Sequence, residues 1–240
     1  MQVSLTIIRY PRLLVPFAFF AMVIHRFPLW FDKKISFFKL MGSGRNGTFD
    51  KKPDLRQWAI LSVYPSGFVE NADKNILKNL YGGFISGWLH FFNCETFTIL
   101  LIPIEGHGFW DGKKVFGEFD KSTGQLPQES GVMAVLTRAS IRLNKLKYFW
   151  QHVAPVAEKM PGSKGFIMSV GIGEIPWIKQ ATFSIWETAA DMKAFAYGMK
   201  EHVEVIKKTR QEKWYKEDMF VRFKIIKTVG SIRGINPLKM

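Results

Sequence analysis

Cysteine is almost absent from this chain of 240 residues. The one thiol, Cys94, cannot form an intrachain disulfide, which excludes a disulfide-stapled secreted fold and favours a reducing compartment. No Cys-x-x-Cys, His-Glu-x-x-His, Gly-x-Ser-x-Gly or Walker pattern occurs either. The usual signatures of zinc proteases, α/β-hydrolases and nucleotide-hydrolysing phosphate loops are therefore missing, and no hydrolase, protease or kinase is expected.

Acidic residues are also scarce, with 20 Asp and Glu against 34 Lys and Arg and a formal net charge of +14. Such a surplus suits nucleic acid, an anionic membrane surface or an acidic protein such as a ferredoxin. The densest basic stretch, 200–227, also contains five acids, which is typical of a solvated helix face. With no zinc-finger spacing, basic arm or RNP-like motif, no nucleic-acid partner is predicted.

One long apolar run, LLVPFAFFAMVI, occupies Leu13–Ile24. It is shorter than the roughly 20 residues that span a bilayer, and it lacks the small-residue cleavage site of a signal peptide. A strand-like segment precedes it, so we predict a very apolar helix, Leu13–Arg26, beginning near Pro11. Contact of this helix with a membrane stays open at this stage.

Two stretches of the chain, Phe37–Ser66 and Gly165–Phe195, follow one plan. In each, an apolar run ends in Gly-x-Gly, and a polar loop leads into a second run carrying Ser-Val-Tyr or Ser-Ile-Trp. Such self-similarity indicates an internal repeat. The glycines do not open a helix as nucleotide-binding glycines do, so we predict a turn or bulge with positive φ at the sheet end. They are Gly42, Gly44, Gly171 and Gly173.

Hydrophobic periodicity predicts the same order of elements, βαββαβ, in both halves. The first half is predicted to contain strand Val3–Tyr10, helix Leu13–Arg26, strands Ile35–Gly42 and Trp58–Tyr64, helix Phe68–Phe92 and strand Thr96–Pro103. The second half is predicted to contain strand Val132–Arg138, helix Lys145–Met160, strands Gly165–Gly171 and Ala181–Trp186, helix Ala189–Lys213 and strand Met219–Lys227. This order is that of the ferredoxin-like unit.

The predicted fold class is therefore α+β, with tandem ferredoxin-like βαββαβ repeats forming an internally duplicated, dimeric α/β-barrel-like fold. The predicted units are 1–104 and 132–240, joined by 105–131, a linker with turns or a short hairpin. Two such units can bury their bare sheet faces against each other, and the space between sheets and helices can hold a ligand. The 22 Phe and eight Trp suit a large apolar ligand or lipid surface as well as an aromatic-rich core.

His202 is the first candidate site residue, because it lies on or beside an apolar helical stripe with Met199, Ile206 and Trp214. A histidine in such a place needs a partner for its ring nitrogens, which can be a metal, a haem iron or a backbone carbonyl. No second ligand lies three or four residues away, so zinc is not expected. A single axial histidine is all that a haem requires.

Arg138 and Arg142 close or follow the first strand of the second half. A guanidinium at a strand end can bind carboxylates, including haem propionates, through two parallel hydrogen bonds. An ion pair with Glu174 or Glu217 is the alternative. Lys39, in a mostly apolar strand, points either to a polar pocket or to the outer face.

At these residues the chain resembles the spheroidene monooxygenase family of carotenoid biosynthesis. The matching motifs keep their order along most of the chain. They are FFKLMGSGRNGTF (Phe37–Phe49), PDLRQWAIL (Pro53–Leu61), LTRASIR (Leu136–Arg142), GIGEIPWIKQATFSIW (Gly171–Trp186) and FAYGMKEHVEVIKKTRQEKWYKEDMFVRF (Phe195–Phe223).

The resemblance implies an oxygenase that inserts oxygen from O2 into a long apolar polyene to form a keto group. It implies haem b as cofactor, an external electron donor such as ferredoxin, and a haem site in the second unit with His202 as iron ligand. Met199, Ile206, Trp214 and Arg142 become cofactor-binding candidates, and Arg138 and Lys39 catalytic candidates. A cytoplasmic location, peripheral on the inner membrane face, accords with such a substrate.

Two further hypotheses remain. One is a haem dehydratase or peroxidase on the same scaffold, which needs no external reductase. The other is a non-catalytic haem- or lipid-binding protein. The exact substrate, the residues on the distal side of the haem, the redox partner and the oligomeric state are left open by the sequence.

Overall fold

The structure, a computed structural model, describes residues 1–45, 52–65, 75–119, 131–198, 208–209 and 211–238. The chain divides into two compact units whose sequence ranges alternate. Unit 1 comprises Met1–Ser43, Asp54–Ile102 and Ile225–Met240. Unit 2 comprises Gly44–Pro53 and Pro103–Lys224.

The predicted βαββαβ order occurs twice along the chain. The strands are β1 (Gln2–Arg9), β2 (Phe37–Gly44), β3 (Pro53–Tyr64), β4 (Glu95–Gly108), β5 (Met133–Ile141), β6 (Phe166–Ile175), β7 (Lys179–Trp186) and β8 (Tyr215–Gly230). The helices are α1 (Val15–Ile24), α2 (Arg26–Phe31), α3 (Ile76–Phe91), α4 (Leu146–Lys159) and α5 (Ala189–Gly198). The predicted helix Ala189–Lys213 is described as far as Gly198, and most of its remainder lies outside the described residues.

In unit 1, β1 is the central strand, because it pairs antiparallel with β3 on one side and β4 on the other. Ser4 faces Ser62 and Leu100 in this register. Both faces of β1 are buried. Its even-numbered side chains face α3, since Ser4 and Thr6 both hydrogen-bond to the hydroxyl of Tyr81. The short hydroxyl side chains of Ser4 and Thr6 on this face thus alternate with Val3, Leu5 and Ile7 on the other.

In unit 2, β5 has the corresponding central position, between β7 and β8 and antiparallel to both. The sheet continues from β7 to β6. The hydrogen-bonded strand order is β4-β1-β3-β2 in the first half of the chain and β6-β7-β5-β8 in the second. The predicted fold class, α+β with tandem ferredoxin-like repeats, is confirmed.

The Gly-x-Gly pairs differ from the prediction. All four glycines lie inside β2 and β6, and none of them has positive φ. A register shift in the β6–β7 pairing does follow Gly173, so the predicted bulge is present at that one place. The positive-φ prediction is wrong because the strands run on past the apolar segments that the sequence shows.

The N-terminal helical segment is longer than predicted. Helical turns run almost without interruption from Arg12 to Phe31, because α2 begins directly after His25, where α1 ends. Among the described residues, this 20-residue segment is the one that is long and apolar enough to cross a membrane, by length and composition alone. Only 22% of its most apolar window is buried.

The segment predicted as a linker begins as regular structure. Strand β4 extends to Gly108, and Trp110 then bridges Lys113 through two backbone hydrogen bonds of 2.9 and 3.2 Å. The two residues between them, Asp111 and Gly112, have φ of 51° and 75°. Two central residues with positive φ are typical of a tight two-residue hairpin, for which Asp-Gly is a preferred sequence. Positions 120–130 lie outside the described residues.

Candidate functional site

Strand β5 separates two different environments in unit 2. Val135, Ala139 and Ile141 lie on the face that packs with α4 and α5 in a buried apolar cluster. Because side chains alternate along a strand, Arg138 lies on the opposite face. Arg142 lies beyond the end of β5, past a register shift in the β5–β8 pairing at Ser140/Ile141, so this alternation does not assign it to the face of Arg138.

The helix-side cluster is dominated by aromatic rings. Its buried members include Phe149, Trp150, Trp186, Phe195 and Trp214. Such a wall excludes water and suits a flat apolar ligand, although it also suits an ordinary core.

Trp214 is 1% exposed and directly precedes β8. Its indole N–H donates to Glu212 Oε2 at 2.9 Å, and its ring lies 5.3 Å from the ring of His152. The pKa of Glu212 is lowered by that hydrogen bond and by Lys145. The indole ring of Trp214 is thus held in place, and its one polar atom, the N–H nitrogen, is hydrogen-bonded.

Arg142 lies next to Trp214. Its backbone N–H donates to the carbonyl oxygen of Trp214 at 2.9 Å, and its Nε donates to the carbonyl oxygen of Tyr215 at 3.2 Å. The side chain is exposed, and among the described residues no carboxylate pairs with it. The structure therefore brings two predicted cofactor residues, Arg142 and Trp214, together at one end of β5.

Arg138 is buried in an ionic cluster on the other face. Its three nitrogens reach three carboxylates, with Nη1 2.5 Å from Glu217, Nη2 3.4 Å from Asp111 and Nη2 3.2 Å from Glu174. Its guanidinium also lies 4.9 Å from the ring centre of Trp110. This arrangement corresponds to the ion-pair alternative from the sequence, with a guanidinium whose donors are already used.

The tight hairpin at Asp111 organises this cluster. The backbone N–H groups of Asp111 and Gly112 donate to the carboxylate of Glu217 at 2.9 and 2.7 Å. Burial tends to raise the pKa of Glu217, but these backbone donors and Arg138 outweigh it, so the pKa lies below its usual value. Lys179 binds Asp111 at 2.6 Å, and the indole of Trp110 donates to Glu174 at 2.8 Å.

A cavity of about 240 Å³ opens close to this hairpin, lined by residues of β4 and β8 and by 114–119. His107 lines it and stacks on Phe220 with ring centres 5.7 Å apart. Ligand pockets typically measure roughly 300–1,000 Å³. A cavity of this size is too small to enclose a long polyene.

Lys39 belongs to unit 1, in β2, where its Nζ lies 5.5 Å from the ring centre of Phe37. His202, Met199 and Ile206 lie outside the described residues. Their assignment as haem ligand and haem contacts stays a prediction, as do the catalytic roles of Arg138 and Lys39.

Sequence reasoning missed Trp110 and Asp111 as partners of Arg138, and Lys179 as a partner of Asp111. The Asp-Gly pair at Asp111 was the available signal, because it predicts a tight hairpin with outward-pointing N–H groups. Sequence reasoning also missed His25, which is 2% exposed and whose Nε2 has no hydrogen-bond partner among the described residues. Burial lowers the pKa of His25 to about 4.

The fold and the aromatic cluster define the structural class of this protein. The chain is an α+β protein of tandem ferredoxin-like units, with an aromatic cluster under the helices of its second unit. A crystal structure of an aldoxime dehydratase shares this fold, with a TM-score of 0.58 over 97% of this chain and 83% of that one. At 8% identity, this likeness concerns the fold alone. No protein-family model matches the chain.

Sequence relatives narrow the class to a family. The spheroidene monooxygenase of Rhodobacter capsulatus is 33% identical over 224 residues, which cover 93% of this chain and 89% of the relative. The spheroidene monooxygenase of Cereibacter sphaeroides is 32% identical over 219 residues, or 90% of this chain and 64% of the relative. The match thus spans less than two thirds of that second relative. The chain belongs to the spheroidene monooxygenase family.

Proposed function

We propose that this protein is a haem-dependent monooxygenase that uses O2 to hydroxylate one carbon of a carotenoid or similar long polyene twice, each time with two external electrons, so that the resulting geminal diol loses water to form a keto group. The observation that carries this proposal is the 33% identity to a spheroidene monooxygenase over 93% of the chain. Oxygen insertion needs electrons from outside, since the second atom of O2 must leave as water. The net charge of +14 favours an acidic donor such as a ferredoxin.

The described residues of unit 2 fit a haem on the helix side of β5. Trp214 and its aromatic neighbours supply an apolar wall, and the exposed guanidinium of Arg142 is free to bind a propionate. Arg138 does not fit the same role, because three carboxylates occupy its donors. His202, outside the described residues, would be the iron ligand.

Haem iron, when bound, supplies the activation of O2. The chain's own residues have simpler tasks. The aromatic cluster excludes water from the reaction, and Trp214 stays fixed because Glu212 holds its indole N–H. Arg142 would hold a carboxylate of the cofactor, while its Nε hydrogen bond to the carbonyl oxygen of Tyr215 keeps the guanidinium in place.

The test of the haem site is an absorption spectrum of the full chain reconstituted with haemin. We expect a Soret band for the wild type, its loss or a marked shift for His202→Ala, and no change for the control His90→Ala. His90 is exposed and lies in α3 of unit 1. A band that His202→Ala leaves unaltered overturns the ligand assignment.

The reaction itself is tested with a carotenoid, a reductant and 18O2, followed by mass spectrometry. The proposal predicts a product whose keto oxygen carries the heavy isotope. Turnover without O2 or without external electrons points to the dehydratase or peroxidase alternative. A haem spectrum with no turnover of any polyene points to the binding protein.

A further inference from the structure

The N-terminal helices of unit 1 carry a row of large apolar side chains that face solvent. Along α1 and α2 these side chains recur every three or four residues, so they form one stripe on the helical surface. Leu13 is 91% exposed and Trp30 78% exposed, at the two ends of the stripe. We call it the aromatic face; its members are Leu13, Phe17, Phe20, Val23, Phe27 and Trp30.

The opposite side of α1 and α2 packs against the rest of unit 1. Ala18, Ala21, His25 and Leu29 are buried, again at spacings of three and four. The three apolar residues among them belong to the core cluster that α3 completes. The helices are therefore apolar on both sides, with one side packed on unit 1 and the other uncovered. A helix that is apolar all round is typical of a buried or lipid-contacting position.

Helix α3 enlarges the aromatic face. Phe84 and Phe91 of α3 are both exposed, although each belongs to a set of touching rings. Phe92 connects the two parts, because its ring lies 4.7 Å from that of Phe17. The exposed apolar surface thus continues from one helix to the next, which is unusual for a surface facing only water.

The charges bordering the aromatic face distinguish between a lipid bilayer and a second copy of this chain as its binding partner. Positions 12–34 contain four basic residues, Arg12, Arg26, Lys33 and Lys34, against the single acid Asp32. Helix α3 contains no acid. Basic residues bordering an apolar helix face favour anionic lipid headgroups. Two copies of this chain meeting face to face would instead bring their like charges together.

We propose that the aromatic face docks unit 1 onto an anionic lipid bilayer, with α1 and α2 lying in the plane of the interface. The helices do not cross the bilayer, because that would remove Ala18, Ala21, His25 and Leu29 from their packing. Exposed Phe, Leu and Trp side chains enter the headgroup and upper acyl region, and the bordering cations contact lipid phosphates. The proposal stands on exposure and charge, and it holds whatever reaction the chain catalyses.

The first experiment measures co-sedimentation of the full chain with vesicles of phosphatidylcholine alone or mixed with phosphatidylglycerol. We expect strong binding to the anionic vesicles. The triple variant Phe20→Ser, Phe27→Ser, Trp30→Ser should bind at least tenfold more weakly. The matched control Leu143→Ser, Trp177→Ser, Ile235→Ser, which removes exposed apolar residues elsewhere, should bind like the wild type.

Charge is tested separately with Arg12→Gln, Arg26→Gln, using Lys216→Gln, Lys224→Gln as the control, since all four side chains are exposed. The arginine pair should lose several-fold more affinity than the lysine pair. Equal losses contradict a specific basic border. Unchanged binding by the serine triple variant overturns the proposal, as does a wild-type dimer that this variant dissociates in the absence of lipid.

The depth of α1 in the bilayer distinguishes a helix that lies in the interface from one that crosses the membrane. Phe20 is near the middle of the helical segment, so Phe20→Trp reports its depth through quenching by brominated lipids, measured against the wild type. An in-plane helix places this residue where bromine high on the acyl chain quenches most. Stronger quenching by bromine near the bilayer centre overturns the in-plane arrangement.

Discussion

Arg138 lies 1% exposed between carboxylates from three parts of unit 2, the hairpin at Asp111 and strands β6 and β8. At the scale of the single residue, its partners determine what it can do. A buried charge that loses its partner costs far more free energy than an exposed one, because neither water nor protein then solvates it. The cluster therefore fastens the Asp111 hairpin to the sheet.

Replacement of Arg138 by Met should lower the free energy of unfolding by roughly 3–5 kcal/mol, because it removes the buried cation that neutralises the part-buried carboxylates of Glu174 and Glu217. Urea denaturation measures this. Adding Glu217→Gln to Arg138→Met should recover part of the loss. The exposed control Lys224→Met should change stability by less than about 0.5 kcal/mol. A stable Arg138→Met variant that has lost turnover would point instead to a catalytic role.

His25 gives a pH-dependent prediction. Burial lowers its pKa from 6.5 to about 4, so the folded protein keeps the ring neutral while the unfolded chain binds a proton over that interval. Its contribution to stability is intact above about pH 6.5 and is lost as the pH falls towards 4. At 1.36 kcal/mol for each pKa unit, the loss approaches about 3 kcal/mol.

Comparison of urea denaturation at pH 7 and pH 4.5 for the wild type and His25→Leu tests this. Phe84 and Trp88 pack edge-on against the imidazole, and an apolar replacement leaves no orphaned nitrogen beside them. The variant should lose less stability on acidification than the wild type. An identical loss in both proteins contradicts the assignment.

Two glycines of the Gly-x-Gly motifs illustrate the scale of the element. Gly42, the first glycine of the motif in β2, has room, because an added Cβ would lie 3.7 Å from the nearest atom, on the ring of Trp58. Gly173, the second glycine of the motif in β6, has none, because an added Cβ would lie 2.7 Å from Gln180 Nε2 and 2.9 Å from the carbonyl oxygen of Lys179. Close strand approach therefore requires glycine at Gly173 but not at Gly42.

Gly173→Ala should destabilise the protein by about 1–3 kcal/mol, since the β6–β7 backbone must shift to admit the methyl group. Gly42→Ala should stay within about 0.5 kcal/mol of the wild type. Thermal unfolding of the two variants side by side is the measurement. Equal losses of stability in the two variants would show that the space around each added methyl group does not determine the effect.

At the scale of the whole molecule, the two compact units do not coincide with the two halves of the sequence. Unit 1 includes Ile225–Met240, from the end of the chain. Ser231 donates its backbone N–H to the carbonyl oxygen of Thr96 at 3.0 Å, and the carboxylate of Glu95 accepts a hydrogen bond from the hydroxyl of Ser231. The first half of the sequence therefore lacks part of the unit to which it belongs.

A fragment of residues 1–131 should accordingly show no cooperative thermal transition when expressed by itself. Co-expression with the fragment 132–240 should restore a cooperative transition, since it returns the strand end that pairs beside Thr96. Circular dichroism melting checks both. Cooperative unfolding of the isolated first fragment would contradict the shared-strand arrangement.

The sequence by itself determined the order of elements, the duplication and the family. Alternation in strands such as β1 and β5 is local and survives in the one-dimensional pattern, and the five motifs keep their order along the chain. Element ends were harder to predict, because β3, β4 and β8 run past their apolar cores into segments whose pairing depends on distant strands.

Only the tertiary structure decided what the candidate residues contact. Arg138 and Arg142 lie four positions apart, yet one is buried among carboxylates and the other is exposed beside Trp214. The end of β5 at Ile141, the register shift just before it and the folding back of the Asp111 hairpin onto Arg138 separate them. The apolar run after Pro11 likewise predicted a helix, but only packing showed that one side is buried while the other faces solvent. Solvent exposure is a property of the packed chain, so periodicity alone could not predict it.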